Sequence, residues 1–195
     1  MIEICFATNN KHKIEEVQAA LGNQFRLISL DEINCKEELP ETQDTLEGNA
    51  LQKANYVFQN YATPCFADDT GLEVSALNNA PGVYSARYAG PQRNSDDNIE
   101  LLLSNLLAHK NRSAQFRTVI ALVGLTPDPS LFEGVVKGII TPERHGSHGF
   151  GYDPVFMPEG RQHTFAQMDL VQKNTLSHRG LAVKKLASFL KNYKP

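Results

Sequence analysis

The order of patterns at the start of the chain restricts the fold more than any other feature of the sequence. Residues 2–7 form an apolar run that ends abruptly in the polar sequence TNNKHK. Apolar residues then recur at helical spacing through Ile14 and Val17, and residues 25–29 have the pattern of a second strand. A strand, a turn, a helix and another strand in succession predict an α/β fold.

The next segments continue the alternation of helix and strand. Residues 46–61 carry apolar side chains on one helical face, and Asp44 or Thr45 can cap the first turn. Residues 64–74, PCFADDTGLEV, predict a buried strand that ends in carboxylates. Gly71 is expected to permit a sharp turn before the chain becomes extended again.

The second half of the chain predicts a mixed sheet. Ser95 is expected to cap a helix with an apolar face over residues 99–107. Residues 116–125 and 131–141 are β-rich and flank a proline-containing turn, which predicts an antiparallel hairpin. A last helix is expected from residue 181 to the end of the chain, with Leu186, Phe189 and Leu190 among its apolar residues. We therefore expect one domain over all 195 residues, with a mixed central β-sheet flanked by helices.

Composition and charge exclude several classes of partner. The 19 Lys and Arg residues against 22 Asp and Glu give a net charge of −3, so no global positive field favours a nucleic-acid polymer. The start of the chain shows no basic leader, and no window approaches the ~18 apolar residues of a membrane span. We expect a cytoplasmic protein without a membrane partner. Cys5, Cys35 and Cys65 form no CxxC pair and are expected to be free thiols.

The polar sequence TNNKHK is a candidate phosphate site. Thr8 and Asn10 are short hydrogen-bonding residues at a strand-to-helix turn, and Lys11 and Lys13 lie in the first helical turns. Free backbone N–H groups and the positive end of a helix favour an anion there. The alternative is that Asn10 caps the helix and both lysines are solvated.

Two groups of carboxylates are candidates for holding a hard cation. The first contains Glu41 and its acidic neighbours, and the second is the pair Asp68 and Asp69 at a strand end. Mg²⁺ takes one or two carboxylates together with waters and phosphate oxygens. If the strand continues, Asp68 and Asp69 point to opposite faces, so only one of them faces the metal. Surface solvation and turn chemistry are the alternatives.

The glycine-rich sequence HGSHGFGYDP offers aromatic faces. Phe150 and Tyr152 lie near Asp153, so a heterocycle can stack there while polar groups contact its edge. Core packing of Phe150 is the alternative. His145 and His148 lack an evident third metal ligand and are interpreted as solvated.

Basic residues gather near the C-terminus in QKNTLSHRG. Lys173, His178 and Arg179 surround a helix start that Ser177 can cap. They form a candidate anion site, although basic residues beside a helix can also be merely solvated.

Six motifs in this order resemble the inosine triphosphate pyrophosphatase family, and the similarity runs nearly from end to end. They are FATNNKHKIEEV, ETQDTLEGNALQKA, ADDTGLEV, PGVYSARYAG, GFGYDPVF and KNTLSHRG. The resemblance implies a homodimeric enzyme with an α/β fold of two lobes and an active-site cleft. It also implies Mg²⁺-dependent cleavage of the purine nucleoside triphosphates ITP, dITP and XTP to the monophosphate and pyrophosphate.

By matching position, the resemblance also implies roles for individual residues. Asp69 is expected to be the catalytic base and, with Glu41, to hold the metal. Asn9 departs from the Gly of many relatives, and Thr70 from a frequent Ser, whose hydroxyl it shares. The residues implied to bind substrate are Thr8, Asn9, Asn10, Lys11, His12, Lys13, Lys53, Thr70, Phe150, Gly151, Tyr152, Asp153, Lys173, His178 and Arg179.

Two other functions fit some of the same residues. A nucleotide sensor would use the phosphate and base sites without cleavage, but it gains little from carboxylates beside a polyanion unless a metal intervenes. A septum-inhibitor-like nucleotide pyrophosphatase would have a similar fold, but its N-terminal pattern of serine and arginine is absent here. We expect hydrolysis at the α-phosphorus, with donors that select a 6-oxo purine.

Overall fold

The helices and strands of the chain follow the predicted alternation. The computed structural model describes residues 2–21 and 25–193. Its strands are β1 (Ile2–Phe6), β2 (Phe25–Ile28), β3 (Cys65–Val74), β4 (Pro81–Gly82), β5 (Ser113–Val123), β6 (Ser130–Ile140) and β7 (Phe156–Pro158). Its α-helices are α1 (Lys11–Leu21), α2 (Leu46–Tyr61), α3 (Ser95–Asn105), α4 (Leu170–Leu176) and α5 (His178–Asn192).

The sheet is mixed, as the sequence predicts. Over residues 2–21 and 25–193, the strand order is β2-β1-β3-β5-β6-β7, and β4 pairs with β3. β1 runs parallel to both β2 and β3, whereas β3 with β4 and β6 with β7 are antiparallel. The α/β fold with a mixed sheet and flanking helices is therefore confirmed.

The chain divides into two compact units. The first comprises residues 1–69, 118–134 and 179–195, and the second comprises residues 70–117 and 135–178. No helix in the described part of the chain is long and apolar enough to cross a membrane.

The first unit buries both faces of its strands. Phe6 and Phe66 stack with ring centroids 4.6 Å apart, in a core that also contains residues of α1 and α5. The neighbouring Cys5 and Cys65 belong to a separate core with α2. Because successive strand residues point to opposite faces, α1 and α5 cover one face and α2 covers the other. The three free cysteines, Cys5, Cys35 and Cys65, are all buried in the α2 core.

The second unit has one core rich in aromatic residues. Phe116 and Phe156 meet edge to face with centroids 4.7 Å apart, and Phe165 packs 5.2 Å from Phe156. Ile99 and Leu102 of α3 close this core. Such aromatic contacts add to the apolar burial that holds the unit together.

Two predictions about α3 are wrong. The N-cap is Asn94, whose side-chain oxygen accepts hydrogen bonds from the backbone N–H groups of Asp96 and Asp97, so Ser95 is already inside the helix. The helix ends at Asn105, and Leu107 is therefore 84% exposed instead of lying on the buried face. The change of backbone direction breaks the helical period on which the prediction relied.

The turn predicted at Gly71 is also wrong, because β3 continues without interruption from Cys65 to Val74. A Cβ atom on Gly71 would lie 2.7 Å from the carbonyl oxygen of Gly82 in β4. The glycine therefore permits close approach of the neighbouring strand. β7 and α4 were not predicted at all.

Candidate active site

The loop between β1 and α1 is built by its own short polar side chains. The backbone N–H of Asn10 donates to Oγ1 of Thr8 at 3.1 Å, and the N–H of Lys13 donates to Oδ1 of Asn10 at 3.3 Å. Asn10 thus caps α1, as one of the two interpretations expected. Lys11 and His12 lie exposed in the first turn. Asn9 is not among the residues with positive φ in the described chain.

Lys13 is not a solvated surface lysine. Its Nζ donates to Oδ1 of Asp68 at 2.9 Å, and Nε of Arg179 donates to Oδ2 of the same carboxylate at 3.2 Å. Asp68 and Arg179 are both buried. The carboxylate of Asp68 therefore ties α1 to the first turn of α5 inside the first unit.

Asp69 points to the other face of β3, as strand alternation predicts. Its Oδ2 accepts a hydrogen bond of 3.0 Å from Nδ2 of Asn49 in α2. Lys53, one helical turn further along α2, lies with Nζ 4.0 Å from Oδ1 of Asp69. The pairing of each carboxylate with a different helix follows from the two-residue period of the strand.

Lys53 connects Asp69 to the second predicted metal ligand. Its Nζ donates to Oε1 of Glu41 at 2.5 Å and to the backbone oxygen of Asp68 at 2.8 Å. Glu41 and Asp69 therefore both lie near one ammonium group. Burial by itself would lower the pKa of Lys53, but the carboxylates of Asp69, Glu41 and Asp68 outweigh it and raise that pKa.

The two adjacent aspartates differ in acidity. Burial would raise the pKa of Asp68, but the charges of Lys13, Arg179 and Lys53 hold that pKa well below its usual value. For Asp69, burial dominates over the lysines and the hydrogen bond from Asn49, so its pKa is raised. Asp69 is thus the better proton acceptor of the pair. Burial also lowers the pKa of Lys13, although Asp68 opposes that shift.

The carboxylates of Glu41 and Asp69 fit Mg²⁺ if a bound nucleotide supplies further oxygen ligands. In the part of the chain that the structure describes, no group of three or more His, Cys, Asp or Glu side chains could hold a metal ion. Glu41 and Asp69 nevertheless provide two hard oxygen ligands near one position. Because Mg²⁺ keeps several waters and takes phosphate oxygens, two carboxylates suffice when a nucleotide supplies the rest.

The second unit contains a separate polar cluster around Asp153. Its Oδ2 accepts hydrogen bonds from the backbone N–H of Phe150 at 2.8 Å and from Nζ of Lys173 at 2.9 Å. The same Nζ lies 4.7 Å from the centroid of the Phe150 ring. Gly149, with φ of +77°, permits this arrangement, since a Cβ there would lie 2.1 Å from Oδ2 of Asp153. Phe150 is half-buried, whereas Asp153 and Lys173 are buried.

Other predicted site residues of the second unit are less accessible. Tyr152 is in the aromatic core and donates its hydroxyl to the backbone oxygen of Ser85 at 2.9 Å, so its ring is not an exposed stacking face. His178 is buried with its ring 4.6 Å from that of Phe116. Thr70 is half-buried. Gly151 is the exception, because a Cβ atom added there would meet no atom within 4 Å.

The structure distributes the C-terminal basic residues differently from the sequence prediction. Lys173 lies in α4 and pairs with Asp153, whereas Arg179 lies in α5 and pairs with Asp68. Lys173 and Arg179 belong to different units. Their closeness in sequence had suggested a single basic group.

One contact of the site was missed by the sequence analysis. Asn49 holds Asp69 through its Nδ2 and accepts a bond of 2.9 Å from the N–H of Gln43 through its Oδ1. It lies between Leu46 and Ala50 on the buried side of α2. A polar residue inside an apolar helical face was the available signal.

The sequence predicted Asp68 and Asp69 at a strand end, but they lie within β3, because the strand continues to Val74. Lysines held by these carboxylates, and a lysine held against an aromatic ring, are groups suited to an α/β protein that binds nucleotides. Comparison with known proteins agrees with this class. The chain belongs to the Ham1 family, whose model matches residues 4–189. The resemblance inferred from the six motifs is thereby confirmed.

Relatives are similar over almost their whole length. A protein of Flavobacterium johnsoniae named dITP/XTP pyrophosphatase is 54% identical over 189 residues, covering 97% of this chain and 98% of the relative. One of Porphyromonas gingivalis with the same name is 53% identical, covering 97% and 98%. The Ham1 protein structure of Staphylococcus aureus matches with a TM-score of 0.90 at 38% identity, covering 98% of this chain and 100% of that one. A HAM1 protein structure of Coxiella burnetii gives 0.91 at 38% identity, covering 99% and 100%.

Proposed function

We propose that this chain hydrolyses the non-standard purine nucleoside triphosphates ITP, dITP and XTP to the monophosphate and pyrophosphate, with Mg²⁺ as cofactor. The observation that carries the proposal is the separation of two adjacent carboxylates by β3. Asp69, with its raised pKa, faces Lys53 and Glu41, while Asp68 is committed to Lys13 and Arg179. The names of the relatives support the same reaction.

Different residues of the first unit bind the phosphates, bind the metal and accept the proton. Lys13 and Lys53 bind phosphate oxygens, with Thr8 and Asn10 shaping the loop beside them. Glu41 and Asp69 would hold Mg²⁺, which would offset the negative charge of the phosphates. The carboxylate of Asp69 accepts the proton of the water that attacks the α-phosphorus, as the α–β phosphoanhydride bond breaks and pyrophosphate leaves.

The base is selected by the second unit. Phe150 offers a half-buried ring for stacking, and Lys173 is a donor held beside it by Asp153. A 6-oxo purine presents an acceptor to such a donor, whereas the 6-amino group of adenine presents another donor. The mismatch leaves buried donors without acceptors and disfavours ATP.

Product analysis in ¹⁸O-labelled water tests the proposal directly. Purified protein with Mg²⁺ is incubated separately with ITP, dITP, XTP, GTP and ATP, and a parallel series contains EDTA. We expect monophosphate and pyrophosphate from the first three, no turnover in EDTA, and the label in the monophosphate. Label in pyrophosphate would place the attack on the β-phosphorus, and release of orthophosphate would refute the proposed site of cleavage. Binding without any product would favour a nucleotide sensor.

Two further properties stay predictions. We expect a homodimer, which sedimentation equilibrium would measure, and a cytoplasmic location, which cell fractionation would test.

A further inference from the structure

One buried carboxylate in the first unit joins cations from two different helices. Oδ1 of Asp68 accepts from Nζ of Lys13 at 2.9 Å, and Oδ2 accepts from Nε of Arg179 at 3.2 Å. Both of its oxygens are thus occupied by cationic donors. Such charge-assisted bonds fix the direction of the donor side chains more strongly than neutral hydrogen bonds do.

The three side chains differ in their access to solvent. The side chain of Lys13 is 17% exposed, whereas those of Asp68 and Arg179 are 1% and 2% exposed. Lys13 is therefore the member of this triad that a phosphate can reach. Asp68 and Arg179 form its buried support.

The charges of Lys13, Asp68 and Arg179 explain why Lys13 is accompanied by both a carboxylate and a second cation. A lysine paired with a carboxylate alone would form a neutral pair with little attraction for phosphate. With Arg179 on the second oxygen, the triad keeps a net charge of +1. The lysine is also held in one conformation, which lowers the entropic cost of binding an anion.

We propose that Asp68 is a positioning residue, which together with Arg179 fixes the ammonium of Lys13 for the phosphates of the substrate. This inference rests on the proposed function, since it takes Lys13 as a phosphate-binding residue. It assigns Asp68 no contact with the substrate. It distinguishes Asp68 from its neighbour Asp69, which is proposed to act on the reacting water.

A double-mutant cycle tests the proposal. The variants Asp68→Asn, Lys13→Met and their combination are compared in kcat and KM for ITP with Mg²⁺, and in unfolding midpoint. We expect Asp68→Asn to lower kcat about thirtyfold while the double variant stays within about threefold of Lys13→Met, because both changes remove one function. Multiplicative losses in the double variant would overturn the proposal, because Asp68 would then act independently of Lys13.

A conservative variant provides the rescue experiment. Asp68→Glu keeps the charge between Lys13 and Arg179, and we expect its kcat to be about tenfold above that of Asp68→Asn. A Glu variant no faster than the Asn variant, with both folded, would contradict a role through charge and direction.

A second pair of variants covers the case in which Asp68→Asn does not fold. Asp68→Asn combined with Arg179→Met removes one buried charge of each sign, and Arg179→Met alone is its reference. We expect a further loss of kcat of about tenfold at a similar unfolding midpoint, because Lys13 loses its fixed direction, while KM for ITP does not rise, because the neutral pair of Lys13 with Asp68 is no longer formed. A loss of kcat below about threefold would overturn the proposal. If the wild-type protein does not hydrolyse ITP, the proposed function itself fails. If the wild-type protein hydrolyses ITP but the effects of the Asp68 and Lys13 variants are independent, only the positioning role of Asp68 is refuted.

Discussion

The neighbouring residues Asp68 and Asp69 have pKa values shifted in opposite directions, because different side chains surround each carboxylate. Asp68 meets two cations and has a lowered pKa, while Asp69 is buried against an amide and a more distant lysine and has a raised pKa. One residue is thus a permanent anion that organises its surroundings, and the other is suited to accept a proton.

Replacement of Asp69 by Asn should abolish turnover without loss of stability. We expect kcat for ITP to fall about a thousandfold, because both the proposed base and a metal ligand are lost. Since burial raises the pKa of Asp69, its charged form is disfavoured in the fold, and the neutral Asn should not lower the free energy of unfolding. Asp31→Asn, at an exposed carboxylate, is the control and should leave kcat unchanged. Retention of more than about a tenth of the wild-type rate would contradict the assignment.

Gly149 and Gly160 form a matched pair for the second unit. Both have positive φ, but a Cβ at Gly149 would strike the carboxylate of Asp153, whereas one at Gly160 meets no atom within 4 Å. We expect Gly149→Ala to cost about 1–3 kcal/mol more in unfolding free energy than Gly160→Ala, because both share the backbone strain and only one adds the clash. Urea denaturation of the two variants measures the difference, and equal costs would show that Asp153 moves aside freely.

Elements with a clear hydrophobic period were well predicted from the sequence. The period of α2 and a cap at Asp44 or Thr45 follow from local rules, and the structure reproduces the helix with Thr45 as its cap. The short α4 and β7 could not be predicted in this way, because seven and three residues carry too little periodic signal. The continuity of β3 through Gly71 depends on β4, a neighbour that is invisible to local analysis.

In the candidate site, too, local sequence patterns predict local features but not contacts between distant residues. The phosphate loop and the opposite directions of Asp68 and Asp69 follow from sequence position alone. The pairing of Asp68 with Arg179 joins residues 111 positions apart, and no local pattern contains it. For Asn49, the sequence predicts its position on the buried face of α2 but not its hydrogen bond to Asp69.

The cap of α3 provides a test at this scale. Asn94→Ala should lower the free energy of unfolding by about 1 kcal/mol, because the side chain accepts hydrogen bonds from two backbone N–H groups of the first turn. Ser95→Ala is the matched control, and we expect a change within about 0.5 kcal/mol. Thermal or urea unfolding of both variants decides between the two caps, and a larger effect at Ser95 would restore the sequence prediction.

At the scale of the whole molecule, the buried tyrosine of the second unit makes stability depend on alkaline pH. Burial raises the pKa of Tyr152 above its usual value of 10.0. Between pH 9 and 11 the unfolded chain releases this proton while the folded chain keeps it, so the free energy of unfolding falls as pH rises.

The variant Tyr152→Phe isolates that effect. At pH 9 it should be less stable than the wild-type protein by about 1 kcal/mol, because the hydrogen bond to Ser85 is lost. By pH 11 the wild-type protein should lose about 1.4 kcal/mol relative to the variant. Urea titrations across this range measure the gap, and a gap independent of pH would mean that Tyr152 ionises equally in both states.

The burial of all three native thiols has a practical consequence for labelling chemistry. Cys5, Cys35 and Cys65 are 0% exposed, so maleimide and disulfide-exchange reagents cannot reach them while the first unit stays folded. A cysteine placed at Val171, which is 74% exposed in the second unit, can therefore carry a single fluorophore or spin label without any native residue being replaced. The rate at which the native thiols then become reactive would measure the rate at which the first unit opens.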